Sequence, residues 1–198
     1  MTQANHPDLQ KSPLGKKSSF INTYTPSLLF AIPRKSKRDE LGIGSSLPFT
    51  GVDIWTGYEI SWLDHRGKPV VAMADFFVPC ESLHLWESKS MKLYLNSFSG
   101  SKFDSMDLVS DLMAKDLSQL IGSTVKLELY SLDQAPQKFG QFAGQWLDGL
   151  DVECNEYIPN PSLLKNLEGQ TEEVLYTNLL KSNCLVTGQP DWGSVQIS

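Results

Sequence analysis

The sequence lacks the features that mark secreted, disulfide-bonded and membrane-spanning proteins. Its three cysteines, Cys80, Cys154 and Cys184, are odd in number and widely separated, which excludes a disulfide framework and predicts reduced thiols. No apolar run approaches the length needed to cross a bilayer, and residues 1–13 have no apolar signal-peptide core. We therefore expect a cytoplasmic protein with no membrane partner.

The sequence also lacks an excess of positive charge and a Rossmann fingerprint. The net charge of −6 gives no general electrostatic footprint for nucleic acid, so we expect no direct nucleic-acid partner. Without a GxGxxG pattern, a dinucleotide would have to bind at a non-Rossmann site. What the chain does have is an ordinary globular composition, 40% hydrophobic and 20% charged over 198 residues, which suits one domain or two small ones.

Periodicity predicts an α+β fold with an antiparallel sheet. Alternating residues predict strands, which are joined in pairs by turn residues, and apolar residues at helical spacing predict a helix that starts near Ser88 and another capped by Asp104 or Ser105. The four predicted strands cover residues 52–62, 69–78, 125–130 and 139–147. The order of hairpin, helix pair and hairpin favours helices packed on one face of the sheet.

The two ends of the chain are less regular. Residues 1–22 are polar and predict a terminal arm, while the prolines and glycines of residues 24–49 predict a long loop around the body. That loop contains the basic cluster of residues 34–38, for which a solvated surface is favoured over a phosphate site.

The sequence predicts that a new segment begins after residue 155. Residues 171–184 predict a buried strand or a helix, and a turn over residues 188–193 leads to an alternating strand over residues 194–198. A lone hairpin buries too little surface to be stable. The segment either docks on the first domain or begins a second one.

Residues 87–95, ESKSMKLYL, are the richest in chemistry. Lys89 and Lys92 share one face of the predicted helix, and the helix start near Ser88 offers hydroxyl and N–H groups to an anion. The opposite face is an apolar stripe formed by Met91, Tyr94, Leu95 and Phe98. An ordinary amphipathic helix with a solvated charged flank explains the same pattern.

Residues 179–194 hold a second group of reactive side chains. Cys184 follows Lys181, and Asp191 lies beyond a turn, so a hairpin could bring the thiol and the carboxyl into one pocket. Lys181 would help to lower the pKa of the thiol, and partial burial would keep Asp191 protonated. The alternative is an inert packed cysteine, since no histidine lies nearby to form a Cys and His pair.

Residues 87–95 resemble the signature of the NADPH-dependent 7-cyano-7-deazaguanine reductases, the nitrile reductases of queuosine biosynthesis. Residues 47–63 and 179–194 resemble the bimodular form of that family. The resemblance implies a tunnelling fold (T-fold), in which residues 1–50 form an arm and wrapping loop. Residues 51–155 would be the N-terminal module, and residues 156–198 an incomplete start of the C-terminal module.

The resemblance also implies roles for individual residues. Cys184 would be the nucleophile that forms a thioimide, and Asp191 the proton donor. Trp86, Glu87 and Ser88 match positions that hold the 7-cyano-7-deazaguanine substrate, and Ser88 with Lys89 match positions that hold NADPH. The implied reaction is reduction of the nitrile to 7-aminomethyl-7-deazaguanine, a route to tRNA modification. The implied assembly is a homodimer.

Two other functions stay open. The bimodular family continues past the position of Ser198 with a His-Glu and an Arg-Gly pair, so we expect a truncated chain, for which a non-catalytic purine-binding or assembly module is the alternative. A pterin or purine enzyme of the same fold would need a metal or a catalytic histidine. The pair Cys80 and His84 is weak evidence for zinc, and the resemblance implies no metal.

Overall fold

The computed structural model describes residues 11–13, 16, 20–44, 46–136, 140, 142–153, 155, 156, 158, 160–165, 169, 172–183 and 190–198. The chain divides into two compact units, Met1–Pro136 and Gln137–Ser198. The expected module limits at residues 50 and 155 stay a prediction, because a compact unit need not coincide with a module of a family.

The first unit contains a three-stranded antiparallel sheet and two main helices. Its elements in chain order are β1 (Ala31–Pro33), α1 (Lys35–Glu40), β2 (Val52–Leu63), β3 (Pro69–Pro79), β4 (His84–Trp86), α2 (Ser88–Ser97), α3 (Met106–Ile121) and β5 (Lys126–Ser131). The sheet has the order β2-β3-β5, and β1 pairs with β4 in a separate two-stranded ribbon. The α+β class and the antiparallel pairing are confirmed.

The core lies where α2 and α3 pack on the sheet. Every second residue of β3 from Ala72 to Val78 is buried, as the alternating pattern requires of a strand with one covered face. The buried cluster joins these side chains to others from α2, from the residue that follows it and from α3, namely Met91, Tyr94, Phe98, Val109, Met113, Leu117 and Ile121. The apolar stripe predicted for residues 87–95 is therefore a core face.

The ends of α3 follow their sequence signals. The Ser105 hydroxyl accepts a hydrogen bond from the Leu108 amide at 3.1 Å, which caps the N-terminus. Gly122 ends the helix with φ +68°, a left-handed conformation that costs least for glycine. Both predicted boundary residues are confirmed.

The segment before β1 docks on both helices through a shared carboxylate. The hydroxyls of Tyr24 and Tyr94 donate to the same oxygen, Asp116 Oδ2, at 2.6 and 2.8 Å. Burial raises the pKa of Tyr94 well above its ordinary value of 10.0, and the hydrogen bond to Asp116 raises it further. The Gly100 amide donates to the Asn22 carbonyl at 2.9 Å, an approach that a Cβ at Gly100 would block at 2.5 Å.

The prediction of a loop over residues 24–49 is wrong in part. This region forms a 3₁₀ turn at Pro26–Leu28, then β1 and α1. The basic cluster lies in α1 and the residue before it, where Arg34 pairs with Asp53 and its Nε donates to Ser82 Oγ at 3.0 Å. The guanidinium of Arg38 donates to the carbonyl of Cys80. Tertiary contacts to β2 and to the end of β3 therefore order a segment that looks solvated in the sequence.

The second hairpin of the predicted sheet is also wrong. β5 pairs with β3, in a register that places Phe76 opposite Leu127, and no hairpin to residues 139–147 forms among the described residues. Among the described residues of that predicted strand, only β6 (Gln145–Trp146) is extended in a sheet, and it belongs to the second unit. A short alternation in the sequence does not identify the partner of a strand.

The second unit is a three-stranded sheet of the order β6-β7-β8. β7 (Leu175–Asn183) pairs in parallel with β6 and antiparallel with β8 (Pro190–Ile197). The ambiguity between strand and helix is thus resolved as a strand, although residues 178–183 are exposed where a buried segment was predicted. The last strand begins at Pro190, so the turn predicted over residues 188–193 is wrong for the part that the structure describes.

No helix in the described part of the chain has the length and apolar character needed to cross a membrane.

The shared carboxylate makes a stability prediction. Tyr94→Phe should lower the free energy of unfolding at pH 7 by about 2 kcal/mol, because a hydrogen bond to a charged acceptor is lost. Since the folded-state pKa is raised, wild-type stability should be constant below about pH 10 and fall above it, as tyrosine ionises first in the unfolded chain. Urea unfolding from pH 7 to 11 measures both effects.

Tyr130→Phe is the matched control, because its hydroxyl donates to Glu128 near the surface at 2.5 Å. We expect the smaller loss of stability there. An equal loss in the two variants would contradict the importance of the Asp116 cluster.

Candidate functional site

The signature segment begins with a carboxylate that caps α2. Glu87 is the N-cap residue, with extended backbone at φ −78° and ψ 134°. One carboxylate oxygen accepts from the Lys89 amide at 2.7 Å, and the other accepts from the Ser90 amide at 2.8 Å. These amides have no carbonyl partner within a helix, so the acid at residue 87 defines where the helix starts.

The carboxylate of Glu87 is buried, with 1% of the residue exposed. Among the described residues, no basic side chain lies within ion-pair distance of it. The two amide donors and the positive end of the α2 dipole therefore compensate for its desolvation. The Ser88 hydroxyl adds a weak contact at 3.3 Å to the first oxygen.

Hydrogen bonds of Phe30, the residue before β1, hold this segment in place. The Glu87 amide donates to the Phe30 carbonyl at 2.9 Å, and the Phe30 amide donates to Ser90 Oγ at 3.1 Å. The same Ser90 hydroxyl donates to the Glu87 carbonyl at 2.7 Å. Phe30, Glu87 and Ser90 thus form a closed ring of three hydrogen bonds, which positions the start of α2 relative to β1.

Trp86 anchors the segment to the sheet. Its residue is 1% exposed, and its ring packs edge-on against Trp55 and Phe76, with centroids 5.7 and 6.2 Å apart. Its indole Nε1 has no hydrogen-bond partner among the described residues. Because the ring is in the core, a contact between this residue and a ligand would come from its backbone.

Ser88 and Lys89 lie at the accessible side of the helix start. Ser88 is exposed, and the Lys89 ammonium donates to the carbonyl of Lys16 in the N-terminal arm. No described carboxylate lies within ion-pair distance of Lys89, so its positive charge is not neutralised. The Glu87 side chain already occupies the amides of the first turn. An anion here would therefore be held by the hydroxyl and ammonium groups.

The second group of predicted residues lies on the β7–β8 hairpin. The register pairs Ser182 with Asp191 and Asn183 with Pro190, so the predicted hairpin is confirmed for its strands. Cys184 and the side chain of Asp191 lie outside the described residues. The structure thus brings Trp86, Glu87, Ser88 and Lys89 together in the first unit, and places the hairpin in the second.

Sequence reasoning missed the residues that hold the signature in place. Phe30 acts through its main chain, which gives no signal in its side-chain type. Trp55 lies at an alternate position of β2, and β4 has three residues, too few for periodicity to predict it. The one available signal was the position of Ser90 within residues 87–95, three residues after the acid, where a hydroxyl can bond the first turn.

Cys80 and His84, the candidate zinc ligands, are not part of an assembled ligand set among the described residues. No group of three or more His, Cys, Asp or Glu side chains in the described ranges could hold a metal ion. Cys80 is a buried free thiol, and His84 pairs with Pro33 in the β1–β4 ribbon.

Comparison with known proteins gives a consistent result. A family model described as "Nitrile reductase, 7-cyano-7-deazaguanine-reductase N-term" matches residues 20–129. The NADPH-dependent 7-cyano-7-deazaguanine reductase of Paraburkholderia phymatum is 53% identical over 95% of this chain and 70% of its own length. Proteins of the same name from Burkholderia multivorans and Ralstonia nicotianae are each 52% identical, over 95% and 98% of this chain and 70% and 71% of their own lengths. The chain therefore belongs to the 7-cyano-7-deazaguanine reductase family of nitrile reductases.

Proposed function

We propose that this protein is an NADPH-dependent reductase that converts the nitrile of 7-cyano-7-deazaguanine to the aminomethyl group of 7-aminomethyl-7-deazaguanine, in queuosine biosynthesis and hence tRNA modification. The observation that carries the proposal is the identity of 52–53% to reductases of that name across 95% or more of the chain. The capped helix start supports it, because it presents a carboxylate, a hydroxyl and an ammonium group within three consecutive residues.

The substrate would bind at the acid end of this segment. A carboxylate has about four acceptor positions, and the two amide bonds of Glu87 leave acceptor capacity for the N–H edge of a guanine-like base. Ser88, next to it, is exposed and offers a hydroxyl. Trp86 would contribute its backbone, since its ring is fixed by Trp55 and Phe76.

NADPH would bind on the Ser88 and Lys89 side. Its phosphates need cations and hydroxyl donors, and Lys89 has a charge that no described carboxylate neutralises. The bond from Lys89 to the Lys16 carbonyl can persist, since it uses one of the three donors of the ammonium group. NADPH supplies hydride when bound.

The hairpin would supply the covalent chemistry. The thiolate of Cys184 adds to the nitrile carbon, and Asp191 gives a proton to the nitrogen, which forms a thioimide C(=NH)–S bond. After one hydride reaches that carbon, the C–S bond breaks, the sulfur leaves as thiolate, and an imine remains. A second hydride and a proton complete the amine, so two hydrides account for the four electrons of the reduction.

The T-fold and a homodimer are part of the same proposal. The antiparallel sheet with α2 and α3 on one face is compatible with such a module. The β7–β8 hairpin would begin the second module of the bimodular form.

Glu87 should contribute to stability as well as to binding. Glu87→Ala should lower the free energy of unfolding by about 2 kcal/mol, because two buried amides lose their acceptor. Glu87→Gln keeps one acceptor and should cost less stability, yet lose most of the affinity for the base. Ser88→Ala is the control for stability. Equal free energies of unfolding for Glu87→Ala and Ser88→Ala would contradict the role of Glu87 as the N-cap of α2.

Lys89 should affect NADPH binding without affecting stability. Lys89→Gln should weaken NADPH binding about tenfold, the loss expected for one charge-assisted contact. Lys92→Gln, one turn further along α2 and exposed, should leave binding unchanged. Titration of NADPH fluorescence measures both, and equal affinities in the two variants would argue against the assignment of Lys89.

Cys184 should form an adduct with substrate in the absence of NADPH. Incubation with 7-cyano-7-deazaguanine should add the mass of one substrate molecule to the wild-type chain and to Cys80→Ala, which removes a buried thiol of the first unit. Cys184→Ala should show no adduct by mass spectrometry. An adduct that survives Cys184→Ala, or none in the wild type, would favour the non-catalytic module.

A further inference from the structure

A surface cavity of about 430 Å³ lies beside α1 in the first unit. Its wall is mainly apolar, formed by Ile32, Leu41, Ile43, Phe49 and Leu85. None of these residues belongs to the signature segment or to the Cys184 hairpin. The volume falls within the range of about 300–1,000 Å³ that is usual for small-molecule sites, which also combine apolar walls with a few polar groups.

Three cations line this cavity, and their partners differ. Arg34 forms an ion pair with Asp53, and Lys37 forms one with Glu40 at 2.5 Å. Arg38 instead donates to the carbonyl of Cys80, which is neutral. No described carboxylate lies within ion-pair distance of Arg38, and the carboxylate of Asp53, which also lines the cavity, is the partner of Arg34.

The guanidinium of Arg38 is also held in place. The Arg38 amide donates to the Arg34 carbonyl at 3.1 Å, which sets the two residues one helical turn apart. The bond to the Cys80 carbonyl uses one of five N–H donors, and the planar group keeps the others for an acceptor. A fixed, partly buried cation of this kind binds a carboxylate or sulfonate more strongly than a mobile surface lysine does.

We propose that this cavity binds a small organic anion, with its carboxylate or sulfonate on Arg38 and its apolar body against Phe49 and Leu85. A single negative charge matches the one described cation of the cavity that lacks a carboxylate partner. The apolar walls require a hydrocarbon or aromatic body and disfavour inorganic anions. The site is separate from the proposed reductase function and does not depend on it.

Fluorescence titration with two matched probes tests the proposal. The anionic probe is 8-anilinonaphthalene-1-sulfonate, and N-phenyl-1-naphthylamine has the same rings without the sulfonate. In Arg38→Gln, sulfonate binding should weaken about tenfold, while binding of the neutral probe stays unchanged. Arg66→Gln, which removes an exposed arginine of the β2–β3 turn, should change neither.

Phe49→Ala gives a second, independent arm. Phe49 is 46% exposed, so its removal should not unfold the chain, yet the binding of both probes should weaken. Thermal unfolding checks that each variant is folded. No saturable sulfonate binding by the wild type, equal losses in Arg38→Gln and Arg66→Gln, or an unchanged Phe49→Ala would each overturn the proposal.

Discussion

The arrangement of the first unit depends on one buried carboxylate, that of Glu87, which has no ion pair with any described basic side chain. Glu87 must find donors within its own helix, and the amides of Lys89 and Ser90 are the groups that α2 would otherwise leave unsatisfied. The helix amides therefore stabilise the buried carboxylate, and the carboxylate in turn caps the start of the helix. The ring through Phe30 and Ser90 extends this dependence to β1, which explains how a short strand far away in sequence is held against the start of α2.

This dependence changes the meaning of the family signature. An acid at residue 87 is needed for the helix before any substrate arrives, and in the proposed function the base would use acceptor capacity that capping leaves over. Because its side chain occupies the first amides, the proposed phosphate contacts would come from Ser88 and Lys89 rather than from the helix terminus. Trp86 completes the division of roles, since its ring anchors the segment while its main chain faces the neighbouring residues.

The sequence predicted an element correctly where its pattern is long and its end signals are local. Alternation over β2 and β3 and the caps of α3 identify their elements, because burial of one face and free helix ends act locally. It failed for β1, α1 and β4, which have too few residues for periodicity and form through contacts such as Arg34 with Asp53. The signature residues were identifiable, but the frame through Phe30 was not, since no local pattern encodes a bond from the Phe30 amide to a hydroxyl 60 positions further along the chain.

The docking of Tyr24 has a consequence for synthesis of the chain. Its acceptor, Asp116, is 92 residues further along, so the tyrosine leaves the ribosome long before its partner exists. At translation rates of about 5–20 residues per second, the segment that contains Tyr24 waits on the order of 5 to 20 seconds for Asp116 to be synthesised. During that time the apolar residues near Tyr24 are open to chaperones, and this segment can dock only after α3 has left the ribosome.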